Sequence, residues 1–272
     1  MTPPWESALV ERLRALGSLA VGFSGGVDSG LLSDLATEAL GDQALVVTAV
    51  SPSLPSAERA EAAAVAASRG WNHLEVHTTE LENPDYRRND PDRCFHCRTE
   101  FFRVLDPVRA DHGIDYAAVG VVADDLGEHR PGFGAIRDAG VLTPFADAGV
   151  TKANVRDAAR RRGLPLWDKP ASACLSSRVP YGTPVTADVL AQVEAAEDAL
   201  HRLGFDVSRV RHHGQCARVE VPVEDLSEAL RRREEITLSL RLAGYTWVAL
   251  DLDGFRSGSL NEDLGGSARI TP

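Results

Sequence analysis

Hydrophobic and polar positions divide the chain into alternating short apolar runs and amphipathic stretches. Residues 19–23, 44–50 and 116–122 are apolar without strict alternation, the pattern of strands buried on both faces. A shorter run at 72–77 completes the set. Helical spacing occupies the intervals. Leu9, Leu13 and Leu16 recur in residues 6–16, and a second helix opens at Ser29. Residues 56–69 are Ala-rich, capped by Ser56 and stopped by Gly70. Residues 101–111 read as helix, and residues 151–162 run from an N-cap at Thr151 to a stop at Gly163. Strands alternating with helices predict an α/β fold with a doubly wound parallel sheet.

The pattern changes after Pro165-Leu166-Trp167-Asp168-Lys169-Pro170, where two prolines prevent one regular element. A domain boundary is expected here, giving domains at 1–168 and 169–272. The second half predicts a helix at 186–203 and paired strands at 207–212 and 216–221 around His213-Gly214-Gln215. One long helix at 223–243 and a strand at 246–251 follow. This is the pattern of a smaller α+β domain.

Composition narrows the function classes. A hydrophobic content of 43% in 272 residues supports a sizeable core. No apolar run reaches the roughly 18 residues of a membrane span, and the N-terminus lacks a signal-peptide pattern. A cytoplasmic protein is expected. The net charge of −11 argues against a broad nucleic-acid footprint. The triplets Arg160-Arg161-Arg162 and Arg231-Arg232-Arg233 lie in helical patterns and read as solvated faces.

The chemistry begins at Ser24-Gly25-Gly26-Val27-Asp28-Ser29, between the first strand and the helix after it. Two glycines let backbone N–H groups approach a ligand, and a helix N-terminus favours an anion. The loop has no lysine of the Walker type. It resembles the SGGxDS loop of the PP-loop ATP pyrophosphatases, which release pyrophosphate from ATP and form AMP. Loops at 51–55 and 123–125 follow other strands, so they are expected at the same carboxyl edge of the sheet.

Cys94 and Cys97 form a CxxC, and Cys174 lies in Ala173-Cys174-Leu175-Ser176-Ser177-Arg178. Three thiolates suit zinc, completed by His96 or another group, or three irons of a [4Fe–4S] cluster. Thiolate softness does not choose between them. Cys216 lies in an alternating strand and reads as a small core residue.

Several long motifs carry a more specific resemblance: Ala49-Val50-Ser51-Pro52-Ser53-Leu54-Pro55, Pro91-Asp92-Arg93-Cys94-Phe95-His96-Cys97, Asp124-Asp125-Leu126-Gly127 with Arg130-Pro131-Gly132, residues 167–183, Val210-Arg211-His212-His213-Gly214 and Asp253-Gly254-Phe255-Arg256-Ser257-Gly258-Ser259. Together they resemble the LarE family, ATP-dependent sulfurtransferases that mature the nickel-pincer cofactor of lactate racemase. The resemblance covers nearly the whole chain. It implies adenylation of the carboxylates of pyridinium-3,5-biscarboxylic acid mononucleotide, followed by displacement of AMP by sulfur. In one subgroup a cysteine matching Cys174 gives up its own sulfur. In another, cysteines matching Cys94, Cys97 and Cys174 hold a [4Fe–4S] cluster that carries sulfide from a donor. The presence of all three predicts the cluster-dependent, multiple-turnover version.

The resemblance also assigns roles. Ser24, Gly25, Gly26, Asp28 and Ser29 are expected to hold ATP phosphates, with Asp28 supporting Mg2+. Ser51, Gly120, Asp124 and Asp125 are expected around the nucleotide. Ser177, Arg178, Arg211 and Arg218 are candidates for the substrate phosphate, with Glu220 and Arg256 as further candidates. Lys169 either stabilises the adenylate and leaving AMP or pairs with Asp168. His212 and His213 receive no catalytic role. A homo-oligomer is expected from the family habit. Competing readings are tRNA thiolation, an ammonia-using amide synthetase that needs no cysteine triad, and a non-catalytic nucleotide sensor.

Overall fold

The computed structural model describes residues 2–127, 132–170 and 172–256. Arg130, Pro131, Ala171 and Ser257-Gly258-Ser259, all parts of the motifs above, lie outside the described residues. In chain order the main elements are α1 (Pro4–Arg14), β1 (Leu19–Gly22), α2 (Val27–Leu40), β2 (Ala44–Val50), α3 (Ser56–Arg69) and β3 (Asn72–His77). Next come α4 (Pro84–Arg88), α5 (Arg93–Asp111), β4 (Tyr116–Val119), α6 (Gly132–Asp138), α7 (Pro144–Asp147) and α8 (Lys152–Arg161). The remainder is α9 (Ala187–Arg202), β5 (Arg209–His213), β6 (Cys216–Glu220), α10 (Leu226–Arg231), α11 (Arg233–Leu242) and β7 (Trp247–Leu250). Among the described residues no helix is long and apolar enough to cross a membrane.

The chain divides into two compact units: one comprises Met1–Glu80 and Cys94–Ser172, the other Leu81–Arg93 and Ala173–Pro272. The first unit is built on a parallel sheet of order β3-β2-β1-β4. Successive residues of β1 explain its continuous apolar run. Leu19 and Val21 enter a core with Leu9 and Leu13 of α1, Leu31 and Leu35 of α2, and Val155 of α8. Ala20 enters the opposite core, with Leu45, Val47 and Phe102 and Leu105 of α5. Both faces are therefore covered, as a doubly wound sheet requires. Complete burial of a leucine such as Leu31 or Leu35 contributes roughly 1.5–3 kcal/mol. Because β2 and β4 flank β1 on opposite sides, the chain reverses direction across the sheet beside β1, where such folds open a ligand crevice.

The second unit has a sheet of order β5-β6-β7, antiparallel between β5 and β6 and parallel between β6 and β7. Its core joins Ala196 and Leu200 of α9 to Val210, Val219, Ile236, Leu240 and Tyr245. The segment 81–93 belongs to this unit although it lies within the first half of the sequence.

Strand β4 stops at Val119 and β5 starts at Arg209, the short helices α4, α6 and α7 carry no periodic signal, and two longer elements also differ from the periodicity. Helix α5 starts at Arg93 rather than near residue 101, so both residues of the CxxC are helical. The stretch 223–243 is not one helix: a 3-10 turn at Val223–Asp225 precedes α10, and α10 and α11 are separated at Arg232, whose φ is −97° and ψ 19°. Arg232 donates to the carbonyl of Leu203 and lies over the Phe205 ring. These tertiary contacts hold a break that local spacing does not reveal.

Candidate active site

At the end of β1, Phe23 donates its amide to the Val47 carbonyl at 2.8 Å, and its own carbonyl accepts from Thr48 Oγ1 at 3.0 Å. The chain then turns through Gly25, at φ +77°, a left-handed position that suits glycine. The Ser29 hydroxyl closes the turn. It accepts from the Ser24 amide at 3.2 Å, lies 3.1 Å from the Ser24 hydroxyl, and donates to the Gly26 carbonyl. Gly26 is the N-cap of α2 and brings no capping side chain. The first amides of α2 thus face a loop suited to an anion.

Gly120, just past β4, presses on the same helix start. A Cβ built there would lie 2.6 Å from Ser29 N and 2.7 Å from the Asp28 carbonyl carbon. Asp124 accepts the Lys152 amide at 2.7 Å, and Asp125 accepts the Val122 amide at 3.2 Å. Lys152 heads α8, whose N-cap Thr151 forms a capping box with Asn154. The Lys152 ammonium pairs with Asp28 Oδ2.

Burial raises the Asp28 carboxyl above its ordinary value; Lys152 opposes this shift and Asp125 adds to it. Asp28 Oδ1 is buried without a hydrogen-bond partner. An unpartnered carboxylate oxygen beside an anion loop is a hard donor that fits magnesium. Lys152 escaped the sequence reading. Its signals were the missing loop lysine and the Thr151 cap, which places it at the first position of a helix.

On the neighbouring strand end, Ser51 donates to Glu80 Oε1 at 2.5 Å and accepts from the Ser53 amide at 3.2 Å. Lys169 does not pair with Asp168. Its ammonium lies 2.6 Å from both Glu58 and Glu61 of α3. Burial lowers the Lys169 pKa, but the hydrogen bonds from these carboxylates outweigh it and leave the pKa raised. Arg156 holds the carbonyls of Trp167 and Lys169, each at 2.9 Å.

Cys94 is exposed and Cys97 half-buried, the second and fifth residues of α5. Cys174 is exposed and caps a 3-10 turn at Leu175–Arg178. Cys94 and Cys97 fall in the first unit and Cys174 in the second. Among the described residues no group of three or more His, Cys, Asp or Glu side chains is arranged to hold a metal ion. The donor chemistry, three thiols, nevertheless suits an iron–sulfur centre. Cys216 is half-buried in β6.

Arg178, Arg211 and Arg218 of the second unit form a connected hydrogen-bond chain. Arg178 binds Glu197 through two bonds of 3.0 Å and donates to the Ala173 and Cys174 carbonyls and to Ser177 Oγ. Ser177 also donates its hydroxyl to the Cys174 carbonyl at 2.7 Å. Arg211 donates to the Ser177 carbonyl at 2.9 Å and to Glu220 at 2.7 Å. Arg218 pairs with both Glu220 and Asp251. Arg256 pairs with Asp253. Glu197 was not singled out in the sequence; its only signal is a carboxylate at a core position of α9, between Val193 and Leu200. His212 is buried and lies 3.2 Å from the Tyr245 hydroxyl, with its pKa lowered by burial and by His213.

Comparison with known proteins gives the family of the chain. The asparagine synthase family model, a PP-loop domain, matches residues 6–98. An uncharacterized protein of Synechocystis, slr1717, is 40% identical over 90% of this chain and 92% of its own length. The pyridinium-3,5-bisthiocarboxylic acid mononucleotide synthase of Lactiplantibacillus plantarum is 35% identical over 95% of this chain and 94% of its own length. The chain belongs to the LarE family. An uncharacterized Methanocaldococcus jannaschii protein, MJ0830, is 27% identical over 88% of the chain. As a LarE-family enzyme the protein is an ATP-dependent sulfurtransferase on a PP-loop fold, and residues 24–29 fall within the stretch that the family model matches.

Proposed function

We propose that this LarE-family enzyme converts the carboxylates of pyridinium-3,5-biscarboxylic acid mononucleotide to thiocarboxylates for a nickel-pincer cofactor. The observation that carries the reading is the pairing of the PP-loop with Asp28, Lys152 and the Gly120 approach. A substrate carboxylate oxygen attacks the α-phosphorus of ATP, and pyrophosphate leaves. Sulfur then attacks the acyl carbon, the C–O bond to AMP breaks, and a thiocarboxylate remains. The amides of Gly25, Gly26 and the start of α2 hold phosphate oxygens. Asp28 would hold Mg2+, and Ser51, Gly120, Asp124 and Asp125 border the nucleotide. Ser177, Arg211, Arg218, Glu220 and Arg256 would receive the mononucleotide, while Arg178 orders the turn bearing Cys174.

Cys94, Cys97 and Cys174 would hold a [4Fe–4S] cluster, which when bound supplies a sulfide replenished by an external donor. We further propose a cytoplasmic homo-oligomer with no nucleic-acid partner. The acidic net charge of −11 and the exposed Leu238, Leu242 and Trp247 support it.

The exposure of Cys174 favours a second reading, in which its own Cβ–S bond breaks and dehydroalanine remains. One experiment separates the two. Anaerobically reconstituted protein is expected to absorb near about 400 nm and to thiolate repeatedly when sulfide is supplied. One sulfur per chain, with the Cys174 peptide lighter by one hydrogen sulfide, would establish the sacrificial reaction instead.

A further inference from the structure

The segment just before the CxxC holds a feature that the adenylation chemistry does not use. Asn89 is wholly buried and left-handed, with φ +61°, a conformation that side-chain-bearing residues seldom adopt. Its amide nitrogen donates to the carbonyls of Val179, Pro180 and Thr183 at 3.2, 2.8 and 2.9 Å. Its backbone carbonyl accepts from the Gly182 amide at 3.1 Å. Its side-chain oxygen accepts from Arg93. Asparagine alone combines these functions: glycine has no amide, aspartate has no donor, and glutamine is one methylene longer.

Arg93, itself buried, uses the same Nη1 to donate to the Ser176 carbonyl at 2.8 Å, and it lies over the Tyr181 ring. The buried Tyr86 hydroxyl lies 2.7 Å from Ser176 Oγ. From the other side Arg178 binds the carbonyls of Ala173 and Cys174. The backbone is therefore held before, at and after Cys174, while Cys174 itself stays exposed. A rigid turn under an exposed thiol is the arrangement expected where a reacting sulfur must be aimed.

We infer that Arg93, seated by Asn89, is a positioning residue for the sulfur-handling turn at Cys174. This rests on the reading that Cys174 handles the transferred sulfur. Arg93 is also the first residue of α5, the helix that carries Cys94 and Cys97. Nη1 alone supplies both donations, to Asn89 Oδ1 and Ser176 O, while the planar guanidinium lies over the Tyr181 ring; an ammonium at residue 93 could keep some of the donation but not the planar stacking, so lysine is a partial replacement.

The test compares Arg93→Met, Arg93→Lys and Asn89→Asp with wild type, and includes Cys174→Ala. Four quantities are measured: thermal unfolding, ATP binding, sulfur transferred per unit time, and the alkylation rate of Cys174 read by mass spectrometry. Arg93→Met is expected to bind ATP within about 2-fold of wild type, yet to transfer sulfur roughly 10- to 100-fold more slowly. The Cys174 alkylation rate is expected to change at least about 5-fold as the turn loosens. Arg93→Lys should restore only part of both. Asn89→Asp keeps the acceptor that seats Arg93 and loses only the donations to residues 179, 180 and 183, so its sulfur transfer and Cys174 alkylation should stay closer to wild type than those of Arg93→Met; a loss as large as in Arg93→Met would assign the effect to Asn89 and overturn the role of Arg93. Sulfur transfer and Cys174 alkylation at wild-type rates in folded Arg93→Met overturn the inference. So does a parallel loss of ATP binding, which would mark Arg93 as a general stabiliser. Cys174→Ala keeps the two questions apart. If it still transfers sulfur, the role of Cys174 falls; if it is inactive while Arg93→Met is active, only the positioning role falls.

Discussion

Gly120 and Ser29 approach so closely that a Cβ on the glycine would stand 2.6 Å from the serine amide nitrogen. The obstacle is the backbone at the first turn of α2, which cannot swing aside as a side chain would. The end of β4 and the PP-loop are thus one packed unit, and the glycine is required by position rather than by flexibility.

Gly120→Ala should therefore push the start of α2 away from β4. Overpacking of this kind costs about 1–3 kcal/mol, measurable as a shift in urea midpoint. Because the displaced amides belong to the anion loop, pyrophosphate release should fall more than the stability loss explains. Pyrophosphate release at the wild-type rate in folded Gly120→Ala would contradict this.

The Asp28–Lys152 pair predicts a pH effect. Burial raises the Asp28 carboxyl above the ordinary 3.8, so its metal-binding, ionised form is lost at a higher pH than for an exposed aspartate. Mg-dependent ATP affinity should decline on acidification from above that value. Lys152→Met removes the group that lowers the Asp28 pKa, so the decline should move to still higher pH. Asp28→Asn should abolish the dependence and weaken Mg–ATP binding roughly 10- to 100-fold. Calorimetric titration of Mg–ATP against pH decides the matter; identical profiles for wild type and Lys152→Met would refute the coupling.

Much of this arrangement was legible before the structure. The doubly wound sheet followed from apolar runs at β1, β2 and β4, because strands buried on both faces cannot alternate. The loop was legible because its residues are contiguous. Lys152 and Glu197 were not, since each reaches its partner across sequence: Lys152 to Asp28 and Glu197 to Arg178. The association of residues 81–93 with the second unit was equally hidden, because its determinants are single side chains, Tyr86, Asn89 and Arg93, with no periodicity. The break between α10 and α11 depends on one arginine finding a carbonyl and a ring.

His73 gives a stability prediction. The one Thr48 hydroxyl proton goes to the Phe23 carbonyl, so His73 Nε2, at 2.9 Å, donates to Thr48. Burial lowers the imidazole pKa below its ordinary 6.5, with Glu75 opposing. The neutral ring is the folded form. Its contribution is therefore present above the unfolded pKa of 6.5 and is lost as pH falls through the lower folded value. Urea midpoints should drop between about pH 7.5 and about pH 5 more in wild type than in His73→Gln. Equal slopes would place the acid sensitivity elsewhere.

Lys169 predicts an electrostatic effect on nucleotide binding. Its ammonium and the Glu58 carboxylate lie 3.8 and 3.7 Å from a Cβ built on Gly25, so the Glu58–Lys169–Glu61 group borders the anion loop. Two carboxylates and one ammonium leave one net negative charge; Lys169→Met leaves two. The added repulsion should raise the KM for ATP roughly 3- to 10-fold at low ionic strength, and salt should relieve it because the Debye length shrinks to about 10 Å at 0.1 M. Adding Glu58→Gln and Glu61→Gln to Lys169→Met removes both charges and should restore ATP affinity, although the tether on Lys169 stays broken. If the triple variant binds ATP as weakly as Lys169→Met, the lysine acts on the nucleotide directly rather than by neutralising its neighbours.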